Sequence, residues 1–218
     1  MENSIKIDNI IDDLTKRIAP QNVDKENNDF LTEEQLILKS FLEERRIRYL
    51  IHFTDEKNVP SIRENGILSV EQLQQLGLTF KANDEDRYDG ELDYISLSVS
   101  GMNQYLYKTF RYSKQKIKHG VAIVIDSSIL YKEISNLRIY CNTNAANSEA
   151  TIGMDLESFE NLFANVVDYK DRHFDRANEK RSSFEPTDVQ AEILWNKCVP
   201  TEYIICYWDL EEDFFYGN

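Results

Sequence analysis

The chain predicts a mixed α+β fold, from three observations. Short apolar strands and amphipathic helices follow one another without a regular βαβ repeat. Only seven residues are glycine, and none forms the Gly-rich phosphate loop of a Rossmann or P-loop fold. At 218 residues and 41% hydrophobic, the chain can bury one real core without disulfide staples, which fits one domain plus an extension. The boundaries drawn are residues 1–45 for an N-terminal helical extension and 46–218 for the main domain.

From the N-terminus, Ile7, Ile10, Ile11, Leu14 and Ile18 keep helical spacing until Pro20 and a polar run break it. Thr32-Glu33-Glu34-Gln35 reads as a capping box that opens a second helix, with Leu36, Leu38, Phe41 and Leu42 as its apolar stripe. Tyr49 to Thr54 reads as a buried strand, and Lys57 to Asn65 as a helix stopped by Gly66. Val70 to Leu76 is a short helix and 81–93 a polar loop. Tyr94 to Val99 is a strand with Ile95, Leu97 and Val99 on one face and Ser96 and Ser98 on the other. Further elements expected are a helix over 104–118, strands over 121–125 and 137–141, and a helix over 156–167. A long polar loop is expected over 169–189, then strands over 189–195 and 203–208.

Charge limits the partners. With 25 basic and 39 acidic residues the net charge is −14, which argues against a protein that coats DNA through bulk charge. It does not exclude nucleic acid met at one local site. No apolar run approaches the roughly 20 residues of a membrane helix, and the N-terminus has no signal pattern. Cys141, Cys198 and Cys206, like His52, His119 and His173, are dispersed. The expectation is a reduced, cytoplasmic protein with no metal and no membrane partner.

Four places carry chemistry, each beside a plainer reading. His52 and Thr54, two apart on a strand, present an imidazole and a hydroxyl on one face; equally they are two satisfied polar residues of a half-buried strand. Gln190 and Glu192, again two apart, aim an amide and a carboxylate from an apolar strand, a pair suited to ribose hydroxyls or an oxocarbenium charge. The plainer reading is an edge-strand surface pair. The loop 170–188 interleaves Lys170, Arg172, Arg176, Lys180 and Arg181 with His173, Phe174 and Phe184, the composition of a single-strand nucleic-acid contact or of a solvated loop. Residues 103–120 hold Lys108, Arg111, Lys114, Lys116 and Lys118 with no acid, and Tyr105, Tyr107, Phe110 and Tyr112 between them. An amphipathic helix with core aromatics and solvated lysines would look the same.

The order of these motifs resembles the DarT family of NAD-dependent DNA ADP-ribosyltransferases. The residues that carry the resemblance are His52-Phe53-Thr54, Asn58, Ile62, Gly66-Ile67-Leu68-Ser69, Arg87, Tyr94-Ile95-Ser96-Leu97-Ser98 and Gln190-Ala191-Glu192. It covers roughly residues 46–210. The runs Arg87 to Asp93 and Cys141 to Ala146 look closer to the guanine-directed branch than to the thymine-directed one. The latter carries an arginine soon after its second strand motif, where this chain reads Ser100-Gly101-Met102-Asn103.

The resemblance implies an ADP-ribosyltransferase-like fold with a split central sheet and flanking helices. It implies transfer of ADP-ribose from NAD to a base of single-stranded DNA by a toxin, paired with an antitoxin that removes the mark. By the same resemblance Glu192 is the catalytic carboxylate and Arg87 assists at the base. An arginine is a poor base, so Arg87 is expected to stabilise departing charge or orient the base. His52, Thr54, Asn58, Gly66 and Ser96 would form the NAD site. Gln190, Arg172, His173, Arg176, Phe184, Lys108 and Arg111 would contact the DNA. Rival readings are the same chemistry on RNA or protein, a non-enzymatic nucleotide- or partner-binding domain, and an RNA 2′-phosphotransferase-like enzyme. The last needs a cationic phosphate cluster that these strands do not supply.

Overall fold

The computed structural model describes residues 31–81, 92–133, 137–169 and 172–210. The helix expected over 7–18 and Arg87 lie outside them. The chain divides into two compact units, Met1–Glu33 and Glu34–Asn218, and the central sheet and its cleft belong to the second.

Helix α1 (Glu33–Arg45) presents Gln35, Leu38 and Leu42, spaced three and four apart, as its buried stripe. Leu36, expected in that stripe, is 42% exposed. It lies 100° around the helix from Gln35, whose Nε2 donates to Tyr131 O at 2.6 Å and fixes the inward face. Phe41 packs edge-on against Phe159 and Phe163, at 5.4 and 5.7 Å between centroids.

The core is a seven-stranded sheet ordered β11-β4-β1-β3-β9-β5-β6. Its strands are β1 (Tyr49–Asp55), β3 (Tyr94–Val99), β4 (Gly120–Asp126), β5 (Arg138–Cys141), β6 (Ile152–Gly153), β9 (Glu192–Asn196) and β11 (Ile204–Asp209), all paired antiparallel. β1 pairs with β4 along its whole length, from Tyr49↔Asp126 to Asp55↔Gly120. With β3 it pairs only at Leu50↔Val99 and Ile51↔Ser98. Beyond Ile51 the sheet splits, and the cleft between the two strands holds the candidate site.

Short elements close the surroundings. Helices α2 (Val59–Asn65) and α3 (Val70–Gln75) flank β2 (Ile67–Leu68), which pairs with β10 (Cys198–Val199). Helix α4 (Gln104–Lys108) runs into a π-helical turn, Thr109–Ser113, closed by Lys114 N–H donating to Thr109 O at 2.8 Å. The expected helix over 104–118 therefore stops early. Tyr107 and Phe110 are buried from this segment and pack on Phe53 of β1. Helix α5 (Ile129–Lys132) comes directly after β4.

Two expectations in the second half are corrected. The helix expected over 156–167 is α6 (Leu156–Asn161) alone, and Val166–Tyr169 is strand β7. The polar stretch 169–189 is not one loop, because Arg172–Asp175 forms β8, paired with β7. Val166, Val167, Asp168 and Tyr169 alternate exposed and buried, a period of two that a helix cannot satisfy.

Gly66 joins α2 to β2 with φ 76° and ψ −175°, a region open in practice only to glycine. A Cβ there would lie 2.3 Å from Val199 O, on the neighbouring backbone. Gly66→Ala is expected to cost about 2 kcal/mol or more and to lower Tm by about 4–8 °C. Thermal unfolding followed by circular dichroism checks it, and an unchanged Tm would contradict the assigned backbone strain.

Candidate active site

The cleft encloses a cavity of about 290 Å³. Its wall takes His52, Thr54 and Asn58 from β1 and the segment after it, Ser96, Ser98 and Glu192 from β3 and β9, and Asn144 and Ala146 from the connection between β5 and β6. Leu106, Thr109, Phe110 and Lys114 complete a flank.

Glu192 opens β9 with only 6% of its surface exposed. Register sets its place, since it lies opposite Ser98 of β3 and Cys141 of β5. Ser96 Oγ donates to Oε2, and the Ala145 N–H donates to Oε1 at 2.6 Å. An ionised carboxylate accepts at both oxygens, so these donors hold it in one orientation. Ala145 sits in the turn between β5 and β6. Asn142 closes that turn by donating its N–H to Thr151 O at 3.2 Å and accepting Thr151 N–H on Oδ1 at 2.9 Å.

His52 faces the cavity from β1, and its Nδ1 lies 3.1 Å from Ser96 O. A carbonyl only accepts, so the proton is on Nδ1 and in the neutral ring Nε2 is an acceptor. Ser96 thus ties both walls together, its backbone to His52 and its hydroxyl to Glu192. Thr54 is buried, and its Oγ1 accepts from Asn58 Nδ2 at 2.8 Å. Asn58 also grips the Lys81 backbone at both ends: Oδ1 accepts Lys81 N–H at 2.8 Å, and Nδ2 donates to Lys81 O at 2.9 Å. Asn58 therefore shapes the wall. Gly66 lines the same wall through its backbone.

Sequence reasoning missed Asp55 and Lys81. Asp55 is fully buried at the end of β1 and accepts from Lys81 Nζ at 2.6 Å, Lys118 N–H at 2.8 Å and Lys57 N–H at 3.2 Å. Burial pushes its carboxyl up, but the Lys81 hydrogen bond, the two backbone donors and the Lys81 charge outweigh that and hold it below the usual 3.8. Lys81 lines the cavity. A polar residue just past an apolar strand was the only signal for Asp55, and nothing local announced its partner.

The remaining candidates lie off the cavity wall. Gln190 is not on the strand, which begins at Glu192, so the two do not share a strand face. Asp188 Oδ1 accepts the Gln190 N–H at 2.9 Å and forms a turn there instead. Arg172 and His173 are exposed on β8, with His173 Nδ1 2.6 Å from Asp168 Oδ1 across the hairpin. Arg176 donates to Glu185 O, Thr187 Oγ1 and Ser182 O at 2.7, 3.2 and 2.6 Å, so its guanidinium organises the segment that leads to β9. Burial, then Arg45 and Arg181, lower its pKa. Phe184, in that segment, is half-buried. Lys108 is exposed, and Arg111 lies over the Tyr112 ring at 5.5 Å, both beside the cavity-lining Thr109 and Phe110. Among the described residues no cluster of three or more His, Cys, Asp or Glu could hold a metal, and no helix is long and apolar enough to cross a membrane.

A family model described as "ssDNA thymidine ADP-ribosyltransferase, DarT" matches residues 51–207. No curated protein matches the chain in sequence. Among solved structures, Thermosipho africanus DarTG in complex with ADP-ribose is 20% identical with a TM-score of 0.46, over 72% of this chain and 42% of that one. The match thus spans less than half the Thermosipho protein's length. Thermus sp. 2.9 DarT in complex with NAD+ is 16% identical with a TM-score of 0.44, over 72% of this chain and 79% of that one. The same Thermus protein in complex with ADP-ribosylated ssDNA matches at 16% identity and a TM-score of 0.43, over 73% and 79%.

Proposed function

The chain belongs to the DarT family, whose model spans most of its length, and from that premise we propose that it transfers ADP-ribose from NAD to a base of single-stranded DNA. One observation carries the reading above the others. Glu192 is a nearly buried carboxylate at a cavity wall, with both oxygens held by fixed donors and His52 opposite.

The chemistry centres on that carboxylate. The bond between ribose C1′ and nicotinamide breaks, and its electron pair leaves with the nicotinamide. Positive charge builds on C1′, and a ring or exocyclic nitrogen of the base attacks there and loses a proton. Glu192 accepts from the ribose 2′-OH, which orients the sugar and opposes the developing charge. Because Ser96 and Ala145 hold it beforehand, little reorganisation is needed as the charge appears. His52 and Thr54 bind the dinucleotide, with Asn58, Gly66 and Ser96 forming the wall around it. Arg87, outside the described residues, orients the base.

DNA is met by Lys108 and Arg111 on one side of the cleft, and by Arg172, His173, Phe184 and Gln190 with the segment that Arg176 braces. Single strand suits the site, because a duplex base is stacked and paired. Guanine is the favoured base, on the likeness of Arg87 to Asp93 and Cys141 to Ala146 to the guanine-directed branch; the family description names thymidine. We read the protein as a toxin whose partner removes the mark.

Protein incubated with NAD and a mixed-sequence DNA oligonucleotide, beside a matched RNA, is expected to add ADP-ribose to the DNA at guanine. Mass spectrometry names polymer and base together. Labelling of the RNA alone, or of neither polymer, would overturn the reading.

A further inference from the structure

We infer that the outer face of Gln104–Ser113 is a track for the unpaired strand beside the target base, with Tyr105 and Tyr112 as stacking platforms and Lys108 as a phosphate contact between them. This rests on single-stranded DNA being the substrate and names the surface that holds it.

Residues 103–120 contain five cations and no acid, in a chain whose net charge is −14. Charge therefore concentrates a polyanion here while the rest of the molecule repels it. An amphipathic helix with core aromatics accounts for Tyr107 and Phe110, which are buried against Phe53. It does not account for Tyr105 and Tyr112, which are 60% and 53% exposed. Tyr105, Lys108 and Tyr112 are three and four residues apart, so they form one outward stripe. Leu106, Thr109, Phe110 and Lys114 form the adjoining stripe and line the cavity. The track is thus the outside of the wall whose inside is the candidate active site.

The stripe stands on fixed backbone. Asn103 Oδ1 caps α4 by accepting Leu106 N–H at 2.9 Å, and Thr109 Oγ1 donates back to Tyr105 O at 2.9 Å. The π-helical turn is held by Lys114 N–H to Thr109 O and by Lys116 N–H to Phe110 O, each 2.8 Å. Arg111 lies over the Tyr112 ring at 5.5 Å and donates to Ile117 O at 3.4 Å. With a rise of about 1.5 Å per residue in α4 and less in the π-helical turn, Tyr105 and Tyr112 stand at most about 10 Å apart along the axis, or up to about three stacked base steps. Each ring then takes a different base, with a phosphate between them facing Lys108. Stacking of this kind does not read the base, so the surface adds affinity and leaves base choice to the cavity.

The test is fluorescence anisotropy of a labelled single-stranded oligonucleotide without NAD, with steady-state transfer alongside. Tyr105→Ala and Tyr112→Ala are each expected to weaken binding roughly tenfold or more, while the phenylalanine variants bind like the natural protein. KM for the oligonucleotide should rise and KM for NAD should not. Lys108→Gln should lower the slope of log Kd against log salt by about 0.7. Alanine variants that bind and turn over DNA like the natural protein would overturn the track while transfer to DNA stands. If the natural protein labels no DNA at all, the proposed function fails instead. Equal loss of NAD and DNA binding would mark the tyrosines as structural and also overturn the track.

Discussion

Glu192→Gln is expected to lower the rate of ADP-ribose transfer about a thousandfold or more, with KM for NAD within about threefold of the natural protein. The substitution keeps shape. Its amide oxygen can still accept the Ala145 N–H, and its amide NH2 can donate to Ser96 Oγ once that hydroxyl turns round. What goes is the charge that opposes the positive C1′ of the ADP-ribose being transferred. The effect therefore belongs in kcat, and Tm should not move. Single-turnover transfer to a fixed oligonucleotide, with NAD affinity by calorimetry, separates the two. A Gln variant within tenfold of the natural rate would remove Glu192 from the chemistry. One that no longer binds NAD would make it a binding group.

Short apolar or alternating strands and helices with a glycine stop are legible because their signals are local. Tyr49–Asp55, Tyr94–Val99 and the turn at Gly66 stand where the pattern of residues puts them. His52, Ser96 and Glu192 meet because two of them face inward from legible strands, and because a carboxylate in an apolar run is conspicuous. The misread parts depend on partners far away in sequence. Arg172–Asp175 carries no strand signal of its own and is a strand only because Val166–Tyr169 pairs with it. Gln190 looked like part of a strand because it precedes an apolar run. Asp188 captures its N–H with a side-chain oxygen, a choice that competes with strand pairing and that periodicity does not record. In the basic stretch, composition could not tell core tyrosines from exposed ones. Packing on Phe53 makes that division.

Asp55→Ala is expected to destabilise the protein by about 3 kcal/mol and to lower Tm by about 6–12 °C. The carboxylate joins three separate stretches of chain, the start of the turn after β1, the backbone at Lys118 and the ammonium of Lys81. Its loss leaves two backbone N–H groups and one half-buried cation without their acceptor. Lys81 keeps 27% of its side-chain surface, so water relieves part of the cost and the effect stays below that of a fully enclosed pair. The site should weaken too, because the Lys81 backbone is the anchor for Asn58, which in turn holds Thr54. The pH dependence has a definite sign. The folded carboxyl lies below its ordinary value of 3.8, so the unfolded chain takes up the proton first as acid is added. The contribution is complete above the ordinary value and is lost as pH falls from there through the depressed one. The stability gap between the natural protein and Asp55→Asn should thus be flat from about pH 5 to 8 and shrink only in stronger acid. Urea unfolding at a series of pH values reads that gap directly. A gap that closes between pH 5 and 7 would mean that a different group, and not this carboxylate, holds the wall at Lys81.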